Sequence, residues 1–246
     1  MNALSSIPNA TRLIVSTVLI VVAIASVSCK KGNSVVVSEN VDGFHTVQLN
    51  YSFDVILVED SIPFIVIKTT ERFAPNVEFD VSDSVLTMGY AKKGRWLYPK
   101  DRIIIEIHNP SIQKVVANET CNVSCKTPIT TRQFGIVLKS KANEAMLDLN
   151  CESFYYWNHH PTGGMLTLRG NVDSLDIWNT AIMSVDAIDL QSSFAQVEQD
   201  SHGDISIHVS DELHYKISNK GNIHVYGNPG EVYHNGTASS GEVIFH

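Results

Sequence analysis

Residues able to do chemistry are scattered along this chain rather than gathered into a motif. The acids Asp173, Asp176, Asp186, Asp189, Asp200 and Asp204 fall in one stretch, and Asp200-Ser201-His202-Gly203-Asp204 adds an imidazole between two of them. Two carboxylates flanking a reacting bond are what glycoside hydrolysis needs, and clustered carboxylates also suit Ca²⁺. No Asp-Asp pair accompanies them, so a solvated acidic surface explains them better than an active site. Gly-x-Ser-x-Gly, phosphate-loop and His-Glu-x-x-His motifs are all missing. The expectation is therefore no enzyme, no cofactor and no metal. A polysaccharide-acting enzyme using Asp200, His202 and Asp204, or a periplasmic structural or lipid-contacting protein, is kept as the alternative.

A second group is aromatic. Phe154-Tyr155-Tyr156-Trp157 is followed by Trp178 about one repeat later. On a strand alternate side chains face outward, so two of the four reach solvent. Exposed rings on a regular β surface suit a carbohydrate, whose apolar face stacks on them. Tyr155, Tyr156, Trp157 and Trp178 are the candidate ligand contacts. A third group is basic: Lys92-Lys93-Gly94-Arg95-Trp96-Leu97-Tyr98-Pro99-Lys100-Asp101-Arg102. It reads as a charged hairpin tip, and Lys92, Lys93, Arg95 and Arg102 are the candidate contacts to anionic headgroups. Ten His residues, among them His159, His160, His202, His208, His214 and His224, read as surface polarity with some response to mild acid. Cys121, Cys125 and Cys151 leave free thiols or one disulfide open, with Cys121 and Cys125 the pair to consider. A zinc site lacks a well-placed fourth ligand.

The whole chain has 246 residues, is 43% apolar and carries a net charge of −8. Such a balance supports a sizeable core and disfavours a polyphosphate partner, so nucleic acid is not expected. Before the body comes Arg12, then the apolar or small run Leu13 to Ser28, then Cys29. A charged n-region followed by an h-region reads as a secretory signal. Ser26-Val27-Ser28-Cys29 resembles the lipobox of bacterial lipoproteins, which implies cleavage before Cys29 and acylation of that residue. Residues 1–28 are then a lipoprotein signal peptide and 29–40 a tether. The body would be exported and lipid-anchored to a Gram-negative cell envelope, with the side of the outer membrane left open. Removing residues 1–28 takes away Arg12 alone among charged residues, leaving the body one unit more acidic.

The elements that must position these residues are strands. Thr46-Val47-Gln48-Leu49, Val55-Ile56-Leu57-Val58, Phe64-Ile65-Val66-Ile67, Val85-Leu86-Thr87-Met88 and Ile103-Ile104-Ile105 alternate or are β-branched, and no helical periodicity follows the signal. From Ser111 a repeat emerges. Val123, Met146, Met165, Met183, Ile205 and Ile223 stand 23, 19, 18, 22 and 18 residues apart. A second series, Phe134, Phe154, Leu175, Phe194 and Leu213, gives nearly the same spacing. A period near 20 in a strand-rich chain predicts a solenoid, each coil burying its apolar face on its neighbours. The fold class is all-β: a right-handed parallel β-helix with about 20-residue coils over 111–230, preceded by an N-terminal β region over 41–110 and followed by a C-terminal strand or cap over 231–246. An irregular β-sandwich with evenly spaced turns is the competing reading. Asn158, Asn179, Asn219 and Asn222, with Gly163, Gly164, Gly203 and Gly221, are assigned to corners that need positive φ.

The coil Ser218-Asn219-Lys220-Gly221-Asn222-Ile223-His224-Val225-Tyr226-Gly227-Asn228-Pro229 resembles the Ser-Gly-Ala-Ser-Asn-Ile repeat and closing Tyr-x-Gly-Asn-Pro of the head GIN domain family. Val41-Asp42-Gly43-Phe44, Val47, Leu49 and Phe53-Asp54-Val55-Ile56-Leu57 resemble its opening pattern. The resemblance runs from about Val41 to Pro229. It implies a β-helical head, an exported protein or lipoprotein, and the adhesin role after which the family is named. The implied partners are the membrane, through the lipid, and a glycan or another component of the envelope or host surface.

Overall fold

The computed structural model describes residues 33–91, 102–159, 161–236 and 239–246. Cys29 and the residues before it, Lys92, Lys93, Arg95 and His160 lie outside the described residues. Among the described residues no helix is long and apolar enough to cross a membrane.

Sixteen strands join in one continuous hydrogen-bonded sheet. The chain runs β1 (Ser34–Asn40), β2 (Thr46–Leu49), β3 (Asp54–Glu59), β4 (Phe64–Thr70), a 3-10 turn (Ala74–Asn76), β5 (Val77–Ser82) and β6 (Val85–Tyr90). It continues through β7 (Ile104–Asn109), β8 (Lys114–Ala117), β9 (Asn122–Cys125), β10 (Gln133–Leu138), β11 (Asn143–Asn158), β12 (Gly163–Ser201), β13 (Ile205–Ile217), β14 (Ile223–Tyr226), β15 (Glu231–His234) and β16 (Val243–Phe245). From β8 onward every ladder is parallel, and the long strands turn corners between two faces. β11 pairs with β9 near its start and with β10 near its end. The result is a β-solenoid of about six turns at ~21-residue spacing, preceded by an N-terminal β region.

That N-terminal region is itself built into the stack. β2 and β3 lie parallel to β8 and β9, and β6 and β7 lie parallel to β2 and β3 in turn. The chain therefore enters one coil in, drops to the first coil, and returns. Antiparallel strands close that first coil: β5 on β6, and β4 on β7 with β1 outside it. At the other end nothing antiparallel intervenes. β15 pairs parallel with β13 and β16 with β14, so β15 and β16 add one more coil.

Alternation fills the interior. Val123, Ala145 and Leu166 stand in register on one face, as do Val185, Ile205 and Ile223. Phe134, Phe154 and Leu175 do the same on the other, and all nine are buried. The repeat was read from the right period but partly from the wrong phase. Met146 and Met165 are exposed and pair with Ser124 and Glu144, one position away from the inward Ala145 and Leu166. Likewise Ala195, not Phe194, is in register with Leu213.

The corner residues also differ from expectation. Asn158 and Asn179 point inward and are buried, and neither has positive φ. Asn158 donates from Nδ2 to the Thr180 carbonyl and accepts the Thr180 N–H at Oδ1 (2.9 and 2.7 Å). Asn179 Nδ2 donates to the Met183 carbonyl and to Gln199 Oε1 (2.8 and 3.2 Å), and Gln199 Nε2 donates to the Gly203 carbonyl at 2.7 Å. This internal polar ladder satisfies backbone groups that the corners free from the sheet. Of the four corner glycines, Gly164 alone has positive φ (+124°).

Candidate functional site

Strand alternation decides which of the four aromatic candidates can touch a ligand. In the β11–β12 ladder Tyr155 faces Asp176, Tyr156 faces Ile177, and Trp157 faces Trp178. Tyr156 is 0% exposed and lies in the core, so it drops out of the ligand surface. Burial pushes its phenol strongly upward, and its hydroxyl has no hydrogen-bond partner among the described residues. Tyr155 points outward but is half-buried, because its ring lies over Gly135, its register partner on β10. A Cβ on Gly135 would sit 2.0 Å from that ring. Tyr155 in turn packs against Trp157, with ring centroids 5.2 Å apart, and so acts as a pedestal.

Trp157 and Trp178 are 40% and 48% exposed. In-register strands lie about 4.8 Å apart, so two indoles stand side by side on adjacent coils. They form one side of a cleft of about 650 Å³. The turns after them, one coil apart, supply His159, Pro161 and Ile182, and the next coils supply Asp200, His202 and Asn219. Asn158, a member of the buried ladder, also lines it. Ala181 also lines the cleft and has φ of 67°, a left-handed conformation unusual for a residue with a Cβ. The cleft thus gathers a broad apolar wall, one carboxylate, two imidazoles and two amides. That combination can stack on a flat apolar ligand face and hydrogen-bond its edge.

The structure divides the carboxylate candidates. Asp200 and His202 join the tryptophans in the cleft, whereas Asp204 does not line it. Asp204 Oδ1 accepts the Asn222 N–H at 2.8 Å, and its Oδ2 lies 3.9 Å from His224 Nε2. Asp186 accepts the Ile188 N–H and Asp189 faces Arg169 at 3.9 Å. Asp176 is pushed above the usual carboxylate range, first by burial and then by the charge of Glu198. Among the described residues no three His, Cys, Asp or Glu side chains could share a metal ion.

Arg102, the one described member of the basic group, pairs with Asp54 at 3.2 Å. The three body cysteines are free. Cys121 and Cys125 border the same extended strand, and four residues at about 3.3 Å each hold them far beyond disulfide reach. Burial raises all three thiols, Cys121 and Cys151 to about 11. Sequence reasoning missed Pro161, Ile182 and Asn219 as cleft residues. Their signal was positional, since turns one period apart fall side by side once the chain is coiled.

The sequence profile of the family described as "Putative auto-transporter adhesin, head GIN domain" matches residues 43–229. No curated protein matches the chain in sequence. Among solved structures, a putative adhesin from Bacteroides fragilis is 14% identical with a TM-score of 0.77, over 87% of this chain and 97% of that one. A putative lipid binding protein from Parabacteroides distasonis is 15% identical with a TM-score of 0.65, over 87% and 97% of the two chains. A putative adhesin from Parabacteroides merdae is 20% identical with a TM-score of 0.56, over 87% and 98%. These likenesses are of fold, and none of the three names is that of an enzyme.

Proposed function

The chain belongs to the family described as putative auto-transporter adhesin, head GIN domain, and from that premise we propose that it is a non-enzymatic binding module of the cell envelope whose cleft takes a glycan of the envelope or of a host surface. The observation carrying this reading is the in-register pair Trp157 and Trp178, half-exposed beside a cleft edged by Asp200, His202 and Asn219. A sugar ring buries its apolar face on an indole while its hydroxyls reach the polar rim. The alternative of a glycan-cleaving site on Asp200, His202 and Asp204 is set aside, because Asp204 is bonded away from the cleft. Export and acylation at Cys29 complete the reading, tethering the module to a membrane through the lipid.

The test is a glycan array read with the parent and with Trp157→Ala/Trp178→Ala. The expected result is loss of the parent's hits by about ten-fold or more in affinity, corresponding to about 1.4 kcal/mol. Hits that survive the double substitution, or a parent with none, would overturn the reading. Cys29→Ala should shift the protein from the membrane fraction to the soluble one. A second reading, contact with anionic lipid, is favoured by Arg102, whose side chain remains 72% exposed beside Asp54. Replacing Lys92, Lys93, Arg95 and Arg102 by Ser should then weaken binding to phosphatidylglycerol vesicles, and unchanged binding removes it.

A further inference from the structure

We propose that the cleft selects sugars bearing an ammonium group over neutral sugars, and neutral over acidic ones, with Asp200 as the selecting carboxylate. This rests on the reading of the cleft as a glycan site and names the class of sugar it takes.

The argument begins with charge. Asp200 is the one carboxylate among the described residues that line the cleft, and no Lys or Arg lines it. Lys141 and Lys220 belong to neighbouring turns and are not part of the lining. Three outward acids of the solenoid face a cation: Glu152 faces Arg132 at 2.7 Å, Asp189 faces Arg169 at 3.9 Å, and Glu198 faces Lys216 at 3.8 Å. Asp200 has no such partner among the described residues. Asn219 Nδ2 approaches it at 3.5 Å, too long to occupy it as a firm hydrogen bond. A carboxylate left open on the wall of an apolar cleft favours a ligand that supplies the missing positive charge.

The tryptophans reinforce that preference. Indole is the side chain whose face attracts a cation most strongly, and Trp157 and Trp178 present two such rings in register. Asp176 faces outward two residues before Trp178, so a second acid stands on the same strand. An acidic sugar would meet the same field with the wrong sign, and among the described residues no Lys or Arg of the lining answers it.

The experiment titrates the full chain with oligomers of glucosamine, N-acetylglucosamine and galacturonate, following indole fluorescence, in the parent and in Asp200→Asn. Glucosamine oligomers should bind about 5-fold more tightly than the N-acetylated ones, a modest factor suited to one partly exposed ion pair with cation–π support. Asp200→Asn should erase that advantage, bringing the two kinds of oligomer to the same affinity, and raised salt should shrink it in the parent. An unchanged thermal midpoint shows that Asp200→Asn is folded. Binding that is lost in Trp157→Ala/Trp178→Ala but shows no ammonium preference, or prefers galacturonate, overturns the selectivity alone. Binding of none of the oligomers, or binding indifferent to the tryptophans, overturns the selectivity together with the glycan reading beneath it.

Discussion

Tyr156 carries a hydroxyl into the core and finds no partner for it among the described residues. An unsatisfied buried polar group is destabilising by about 1–3 kcal/mol, so Tyr156→Phe should raise stability by about 1 kcal/mol in a urea titration. Ala181→Gly should stabilise by a similar ~1 kcal/mol, since its left-handed backbone is strained only for a residue with a Cβ. The raised thiols give a pH dependence whose sign follows from their direction. Below about pH 9 folded and unfolded chains both hold these protons. As pH rises towards about 11 the unfolded chain ionises first, so stability falls over that window. Replacing Cys121 and Cys151 by Ala should flatten this decline. Residue types alone made Tyr156 look like its neighbours Tyr155 and Trp157. Only the register, which sets the parity of each position, separates a core ring from a surface one.

Between neighbouring coils a column of glycines marks one line of close backbone approach. A Cβ on Gly203 would lie 2.5 Å from the Met183 carbonyl oxygen, one on Gly221 2.3 Å from that of Gly203, and one on Gly241 2.4 Å from that of Gly221. Carbonyls in a ladder cannot swing aside as a side chain can, so Gly221→Ala should destabilise by about 3 kcal/mol or more by thermal melting. Gly135→Ala meets only the Tyr155 ring, which can move, and should be much milder. The strands and their period were legible because β-branched residues and turns recur evenly. The phase was harder, because coils of unequal length do not preserve alternation from one to the next. Met146 and Met165 illustrate this: both are apolar, both fall near the right spacing, and both face outward. The cleft was half legible. Its tryptophans stood out by type, but Asp200 and His202 belonged with them only because stacking brings turns one period apart together.

The molecule's two ends are unlike. On the first coil, Lys68 on β4 bonds Glu106 on β7, and this holds the Glu106 carboxyl below its usual range. His108, stacked on Phe64, similarly lowers Asp60. Lowered carboxyls stabilise above their unfolded range and lose that contribution as pH falls, so acid should loosen the β4–β7 closure. Glu106→Gln should reduce this acid sensitivity, measured as the slope of thermal midpoint against pH below about 4.5. Outside β4 lies β1, paired on that side alone and with no residue fully buried. The core begins beyond it, at Phe44. Hydrogen exchange should therefore find the β1 amides opening well before those of β7. Mechanically, β1 is a fuse. Any load drawn through the chain N-terminal to Ser34 meets a seven-residue strand that can peel away first, paying out about 23 Å of slack at 3.3 Å per residue before the load reaches the core.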